Sequence, residues 1–161
     1  MAEHFLVMEV SDAEFFAGAL FKRVFGGAIP TYPRHFVCFY RAADGNLLTA
    51  GYVHFSPFES VYLAGGLVAD KQLYAQIPPE HLLELGAERS IGRHVMAEGV
   101  RRLADAAAVF AVIGDPRSVA VNLSVGYVPT HIDKLYAYWK RDFPDEIRRA
   151  AAERVMRIAP F

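Results

Sequence analysis

The residues with the clearest chemical signature are Glu88-Arg89-Ser90-Ile91-Gly92-Arg93, a short loop running straight into an amphipathic helix. Free backbone N–H groups and the helix dipole at such a place both favour phosphate, so the loop predicts a phosphorylated cofactor. Arg93 is the side chain best placed for phosphate, with Arg89 beside it, whereas Arg101 and Arg102 read as solvated charges. Gly114-Asp115-Pro116-Arg117-Ser118 opens a second helix, with Arg117 near its start. Gly65-Gly66 interrupts the strand-like stretch Ser60–Ala69, as at a bulge or a close backbone approach. Glu59, just before that stretch, is the nearest acid and a candidate base, although a solvated strand-end charge is its commoner role. Tyr62, at the strand centre, faces either a cleft or the core. His54 alternates with Val53 and Phe55; its near-neutral reference pKa suits a proton relay, and a satisfied or outward-facing histidine is the plainer reading. His35, His81, His94 and His131 lack ligand spacing, so no metal site is predicted. Cys38 sits in an apolar run and reads as a small buried hydrophobe.

These residues must be positioned by alternating elements. Phe5–Val10 predicts a strand, and Ser11-Asp12-Ala13-Glu14 predicts a capping box with Ser11 at the cap. Phe16, Leu20 and Val24 predict the buried stripe of the following helix, which Gly26-Gly27 ends. Phe36–Arg41 and Leu47–Phe55 flank hairpin chemistry at Ala43-Asp44-Gly45-Asn46. After Ser60–Ala69 comes an insert, 70–87, in which Pro79 starts a short helix and Gly86 stops it. Tyr74 and His81 of the insert, with Tyr32 from the loop before the hairpin, are candidates to line an acceptor pocket; a packing embellishment or a dimer contact is an equal reading of the insert. Ser90–Asp105 is the long helix, with Gly99 allowing close approach to the sheet. Ala107–Ile113 reads as a buried central strand, followed by a helix to about Val125 and strands at Tyr127–Thr130 and Lys134–Lys140. A last helix covers about 144–158, with Ile147, Ala151, Val155 and Ile158 on its apolar side. The whole is expected to be one α/β (α+β) domain over 1–161.

Composition narrows the partners. A chain of 161 residues that is 53% hydrophobic and 22% charged is expected to be ordered. A net charge of −1 predicts no nucleic-acid partner, and no apolar run is long enough to predict a membrane span. Cys38 is the only cysteine, which leaves no disulfide within the chain. The start Met1-Ala2-Glu3-His4 lacks signal-peptide features, and a cytoplasmic location is expected. Apolar Leu135–Trp139 and the final helix suggest a possible homodimer.

In element order, and at Ser90-Ile91-Gly92-Arg93 and Gly126-Tyr127, the chain resembles the GNAT acyltransferase superfamily from about Phe5 to Lys140. The resemblance implies a mostly antiparallel central sheet flanked by helices. It also implies acetyl-CoA or another acyl-CoA as co-substrate, its pyrophosphate held by the amides of Arg89, Ser90, Ile91, Gly92 and Arg93. Leu67, Val68 and Ala69 would present backbone groups to pantetheine. The function implied is N-acyl transfer by direct attack of a small-molecule amine or amino-acid derivative. Family loops usually read Arg-Gly-x-Gly-Ile-Gly-Arg; here Ala87, Glu88 and Ser90 replace the first Arg and two glycines. Asn122 stands where the family often has a general-acid tyrosine, and amides do not deliver protons at neutral pH. A non-catalytic module that binds CoA, a small ligand or a protein on the same fold is the alternative.

Overall fold

The structure, a computed structural model of the chain, describes residues 3–161. Strand β1 (Phe5–Val10) leads into helix α1 (Ala13–Phe25), and β2 (Arg34–Arg41), β3 (Leu47–Phe58) and β4 (Val61–Ala69) form an antiparallel meander. The insert folds as α2 (Lys71–Tyr74), α3 (Pro79–Leu82) and a 3-10 turn over Leu83–Leu85. Then come α4 (Ile91–Arg102), β5 (Ala108–Val112), α5 (Pro116–Val125), β6 (Val128–Pro129), β7 (Leu135–Trp139) and α6 (Asp145–Met156). The seven strands make one sheet in the order β1-β2-β3-β4-β5-β7-β6, mixed α/β and mostly antiparallel, in which β4 and β5 are the parallel pair.

Alternation along the strands divides the core between the two faces of the sheet. Phe36, Cys38, Val53 and Phe55 pack with Ile91, Val95 and Met96 of α4. Val37, Phe39 and Tyr52 point the other way and pack under α1, while Val61, Leu63 and Phe110 meet Ala152 and Val155 of α6. Gly99 serves as expected: a Cβ there would stand 2.5 Å from Phe55 Cε2, so glycine sets how near α4 lies to the sheet. Cys38 is fully buried, and burial pushes its thiol up to about 12, where it is inert.

Three expectations about the helices and strands change. Asp12, not Ser11, caps α1 by accepting from Phe15 N at 3.1 Å, and Glu14 instead accepts from Ile29 N across the helix end. The buried stripe of α1 is Ala13, Ala17, Leu20 and Phe21, which lets the helix lie close to the sheet, while Phe16 and Val24 are exposed. Apolar β7 is not a free surface for a second copy: it lies between β5 and β6, and its Leu135 and Ala137 are buried within the chain's own core with Ala152 and Val155 of α6. The final helix likewise buries Ala152 and Val155, while Ile147 and Ile158 are exposed.

Candidate functional site

The site begins where two strands part. β4 and β5 pair only from Val61–Leu63 against Ala108–Phe110. Beyond that point the β3–β4 register shifts between Tyr52 and His54, and Gly66 takes φ +64. The bulge turns β4 away from β5. A space of about 160 Å³ opens in the gap, with Gly65, Gly66 and Leu67 on one wall, Ala111 and Ile113 on the other, and Asn122 lining it.

Leu67, Asp115, Ser118 and Phe25 are shared between this gap and a larger cleft of about 840 Å³. The floor of the cleft is Leu67, Val68 and Ala69; Val68 and Ala69 pair with Tyr52 and Gly51 of β3, and none of the three pairs with β5. Its far wall brings together the starts of two helices: Ser90, Ile91 and Gly92 of α4, and Asp115, Arg117 and Ser118 of α5. Ser90 Oγ caps α4 by accepting from Arg93 N at 3.1 Å, and the first-turn N–H groups of Ile91 and Gly92 have no intrahelical acceptor. Asp115 caps α5 in the same way, accepting from Ser118 N at 3.0 Å. Arg89 and Arg117 add positive charge, and Glu88 is partly offset by Arg93 at 3.7 Å. The loop before α4 is tightly formed. Arg89 sits at φ +48 although it is not glycine, and Tyr74 Oη of the insert donates to its carbonyl at 2.9 Å.

Seven of the eight residues expected around the cofactor therefore line one cleft: Leu67, Val68, Ala69, Arg89, Ser90, Ile91 and Gly92. Arg93 is the exception, since its guanidinium turns to Glu88 and to the Ser124 carbonyl at the end of α5. Arg117, near the start of α5, also lines the cleft. Of the catalytic candidates, Asn122 alone reaches the gap. It is 2% exposed, its Nδ2 donates to the Ser118 carbonyl at 2.8 Å, and its Oδ1 is buried without a partner among the described residues. Glu59 stands on the β3–β4 turn with its carboxylate on Arg154 of α6, and Tyr62 Oη donates to Asp105 at 3.0 Å. Both belong to the end of β4 opposite the bulge. Tyr74 lines the same large cleft, Tyr32 is 77% exposed on its loop, and His81 is held by Tyr40. Phe25 and Val24 of α1 edge the cleft, and sequence reading placed neither there. Their signal was an apolar pair left exposed just before Gly26-Gly27.

On the other side of the bulge lies His54, with Tyr52 Oη 3.1 Å from its Nδ1 and His35 Nδ1 2.7 Å from the same hydroxyl. Burial lowers the pKa of both histidines, that of His54 to about 4. The unfolded chain then binds the proton near pH 6.5 while the folded chain does not, so stability falls as pH drops below 6.5 and the loss is complete below about 4. For His54 the full effect is about 3 kcal/mol. His54→Gln is expected to flatten the acid limb of a urea-unfolding series over that range, and an unchanged limb would contradict the assignment.

No family model matches the chain, and no curated protein matches it. Solved structures do. The ribosomal-protein-S18-alanine N-acetyltransferase from Escherichia coli superposes with a TM-score of 0.58 at 9% identity, over 88% of this chain and 97% of that one. A mutant of the toxin AtaT, bound to the C-terminus of the antitoxin AtaR, gives a TM-score of 0.52 at 13% identity, over 95% of this chain and 98% of that one. The chain has the GNAT fold. AtaT is also known with acetyl-CoA and with acetyl-methionyl-tRNAfMet; the latter complex matches with a TM-score of 0.44 at 10% identity, over 84% of this chain and 94% of that one. These GNAT relatives correct the expectation of a small-molecule amine acceptor and no nucleic acid. One is named for a protein acceptor and the other is bound to a protein segment, the C-terminus of an antitoxin. A near-zero net charge excludes neither kind of partner. Among the described residues no helix is long and apolar enough to cross a membrane.

Proposed function

We propose that this GNAT-fold chain is an acyl-CoA-dependent N-acyltransferase whose acceptor amine is borne by a polypeptide. The observation that carries the reading is the pair of adjoining spaces, sharing Leu67, Asp115 and Ser118, that lead from the β4–β5 gap to the paired starts of α4 and α5. Its volume suits a large cofactor, and the free N–H groups of Ile91 and Gly92 suit a pyrophosphate. The unpaired edge of Leu67–Ala69 suits an extended chain carrying amide groups. An acyl-CoA supplies a thioester, with an electrophilic carbonyl carbon and sulfur as the leaving group. The role of the chain is to bind it, hold its carbonyl in the gap and bring the amine into line. The polypeptide acceptor is supported by the name of the better-superposing relative and by the exposed apolar rim at Val24 and Phe25.

Asn122 supports a role at the gap. A buried oxygen without a partner is costly, and an N–H of a bound group would satisfy it. Asn122→Leu is expected to keep folded stability within about 1 kcal/mol, since it removes the orphan atom, and to lower kcat/KM about tenfold. Chemical unfolding and a thiol-release assay with acetyl-CoA and a library of free-N-terminus peptides measure both. The same assay tests the function. Absence of thiol release with every acceptor, alongside intact acetyl-CoA binding, would favour the non-catalytic module, a reading that the lack of a tyrosine at Asn122 keeps open.

A further inference from the structure

We propose that His54, Tyr52 and His35 form a proton relay that takes the proton of the acceptor amine, with His54 Nε2 as the receiving atom. This rests on the acyltransferase reading above. The three side chains lie on neighbouring strands, on the face of the sheet under α1. His35 and His54 are cross-strand partners in the β2–β3 register, and Tyr52 is two residues from His54 on β3. All three are buried.

One pair of histidine tautomers gives this chain of hydrogen bonds a direction. In the proposed relay His35 carries its proton on Nε2, the ring nitrogen that does not face Tyr52. Its Nδ1 must then accept from Tyr52 Oη at 2.7 Å. The tyrosine, having donated, accepts from His54 Nδ1–H at 3.1 Å. That tautomer leaves a bare lone pair on His54 Nε2. No hydrogen bond to Nε2 is present among the described residues, and the atom faces Gly65, where a Cβ would stand 2.7 Å away. Gly65 and Gly66 are also walls of the gap, so the bare nitrogen borders the backbone against which the reacting groups would lie. The two glycines leave room for the imidazole, and any side chain at either position would collide with it.

Around the relay, α1 contributes Phe21 against His54 and the Glu14 carboxylate near Tyr52. β1 contributes Glu9 near His35, neutralised by Arg34 at 2.7 Å. Burial keeps both histidines neutral at neutral pH, so Nε2 is free to accept. The transfer balances as follows. The ammonium gives one proton to His54 Nε2. The Nδ1 proton of His54 moves to Tyr52 Oη, the hydroxyl proton moves to His35 Nδ1, and His35 passes its Nε2 proton to bulk water at the exposed Thr31 loop. The freed nitrogen lone pair forms the C–N bond, the C–S pair leaves with sulfur, and the second nitrogen proton ends on the thiolate.

Tyr52→Phe cuts the relay without altering either histidine, and it is expected to lower kcat about a hundredfold. KM for acetyl-CoA and its calorimetric affinity should stay unchanged, and the loss should shrink as pH rises and the amine deprotonates unaided. Loss of stability with an unchanged kcat and pH profile would mean a purely structural trio and overturn the relay. The second readout needs no activity. Long-range nitrogen–proton correlation spectra of the free protein should show His54 protonated at Nδ1 and His35 at Nε2, and a His54 Nε2–H tautomer would overturn the proposal. A native protein with the expected tautomers that neither binds nor turns over acetyl-CoA would remove the acyltransferase reading, and the relay's role with it.

Discussion

Replacing Gly92 with aspartate is expected to weaken acetyl-CoA binding at least about a hundredfold while leaving the protein as stable as before or slightly more so. The two effects have opposite signs for a physical reason. Gly92 lies in the first turn of α4, where a Cβ meets nothing nearer than Ser90 Oγ at 3.8 Å. A carboxylate there fits sterically and is favoured by the helix dipole by about 0.3–1 kcal/mol, and removing a helical glycine helps further. The same carboxylate occupies the place where the free N–H groups of Ile91 and Gly92 would meet a pyrophosphate. Hydrogen bonds to charged groups contribute about 1.5–3 kcal/mol each, so losing them and adding like charge exceeds a factor of a hundred. Calorimetry and thermal unfolding on one preparation measure both. Equal binding by the variant and the native protein would show that the α4 start holds no phosphate.

Gly66→Ala is expected to destabilise the fold by about 3 kcal/mol, a large share of the roughly 5–15 kcal/mol that holds a typical domain together. Two costs add. The residue sits at φ +64, which costs a side-chain-bearing residue about 1–2 kcal/mol. Its new Cβ would also stand 2.7 Å from His54 Nδ1 and 2.8 Å from Phe21 Cε2, overpacking that costs about 1–3 kcal/mol. Gly45→Ala separates the two, because Gly45 has φ +85 and open space around it. It should lose only the backbone part, about 1 kcal/mol. Urea unfolding of both variants checks this, and equal losses would mean that the bulge tolerates a side chain against His54.

The order of the elements was legible in the sequence because the signals there are local. Pro116 after Asp115 and the hairpin turn before Leu47 each decide a boundary without help from afar. Gly99 was legible for the same reason, since a helical glycine in an apolar stripe has few other uses. The capping of α1 was not. Ser11 and Asp12 are both competent caps, and Ile29 N, fifteen residues along the chain from Glu14, took the glutamate that would have completed a box with Ser11. The apolar stripe of α1 was misread because small Ala13 and Ala17 carry the close contact, while Phe16 and Val24 face outward. Within the site, the lining of the large cleft was readable from the strand that precedes the insert and the loop that follows it. Arg93 and Glu59 were not, because Ser124 and Arg154, which hold them, are far away in sequence. The pairing of His35 with His54 was hidden too: it depends on the β2–β3 register, which shifts at Cys38/Phe39.

Calorimetric titration of the native chain with acetyl-CoA tests the central claim most directly, run beside Gly92→Asp and Glu59→Gln. Saturable binding at one site per chain is predicted, lost in Gly92→Asp and kept in Glu59→Gln, whose carboxylate lies against Arg154 at the opposite end of β4. No saturable heat with acetyl-CoA or with longer acyl-CoAs would contradict the account.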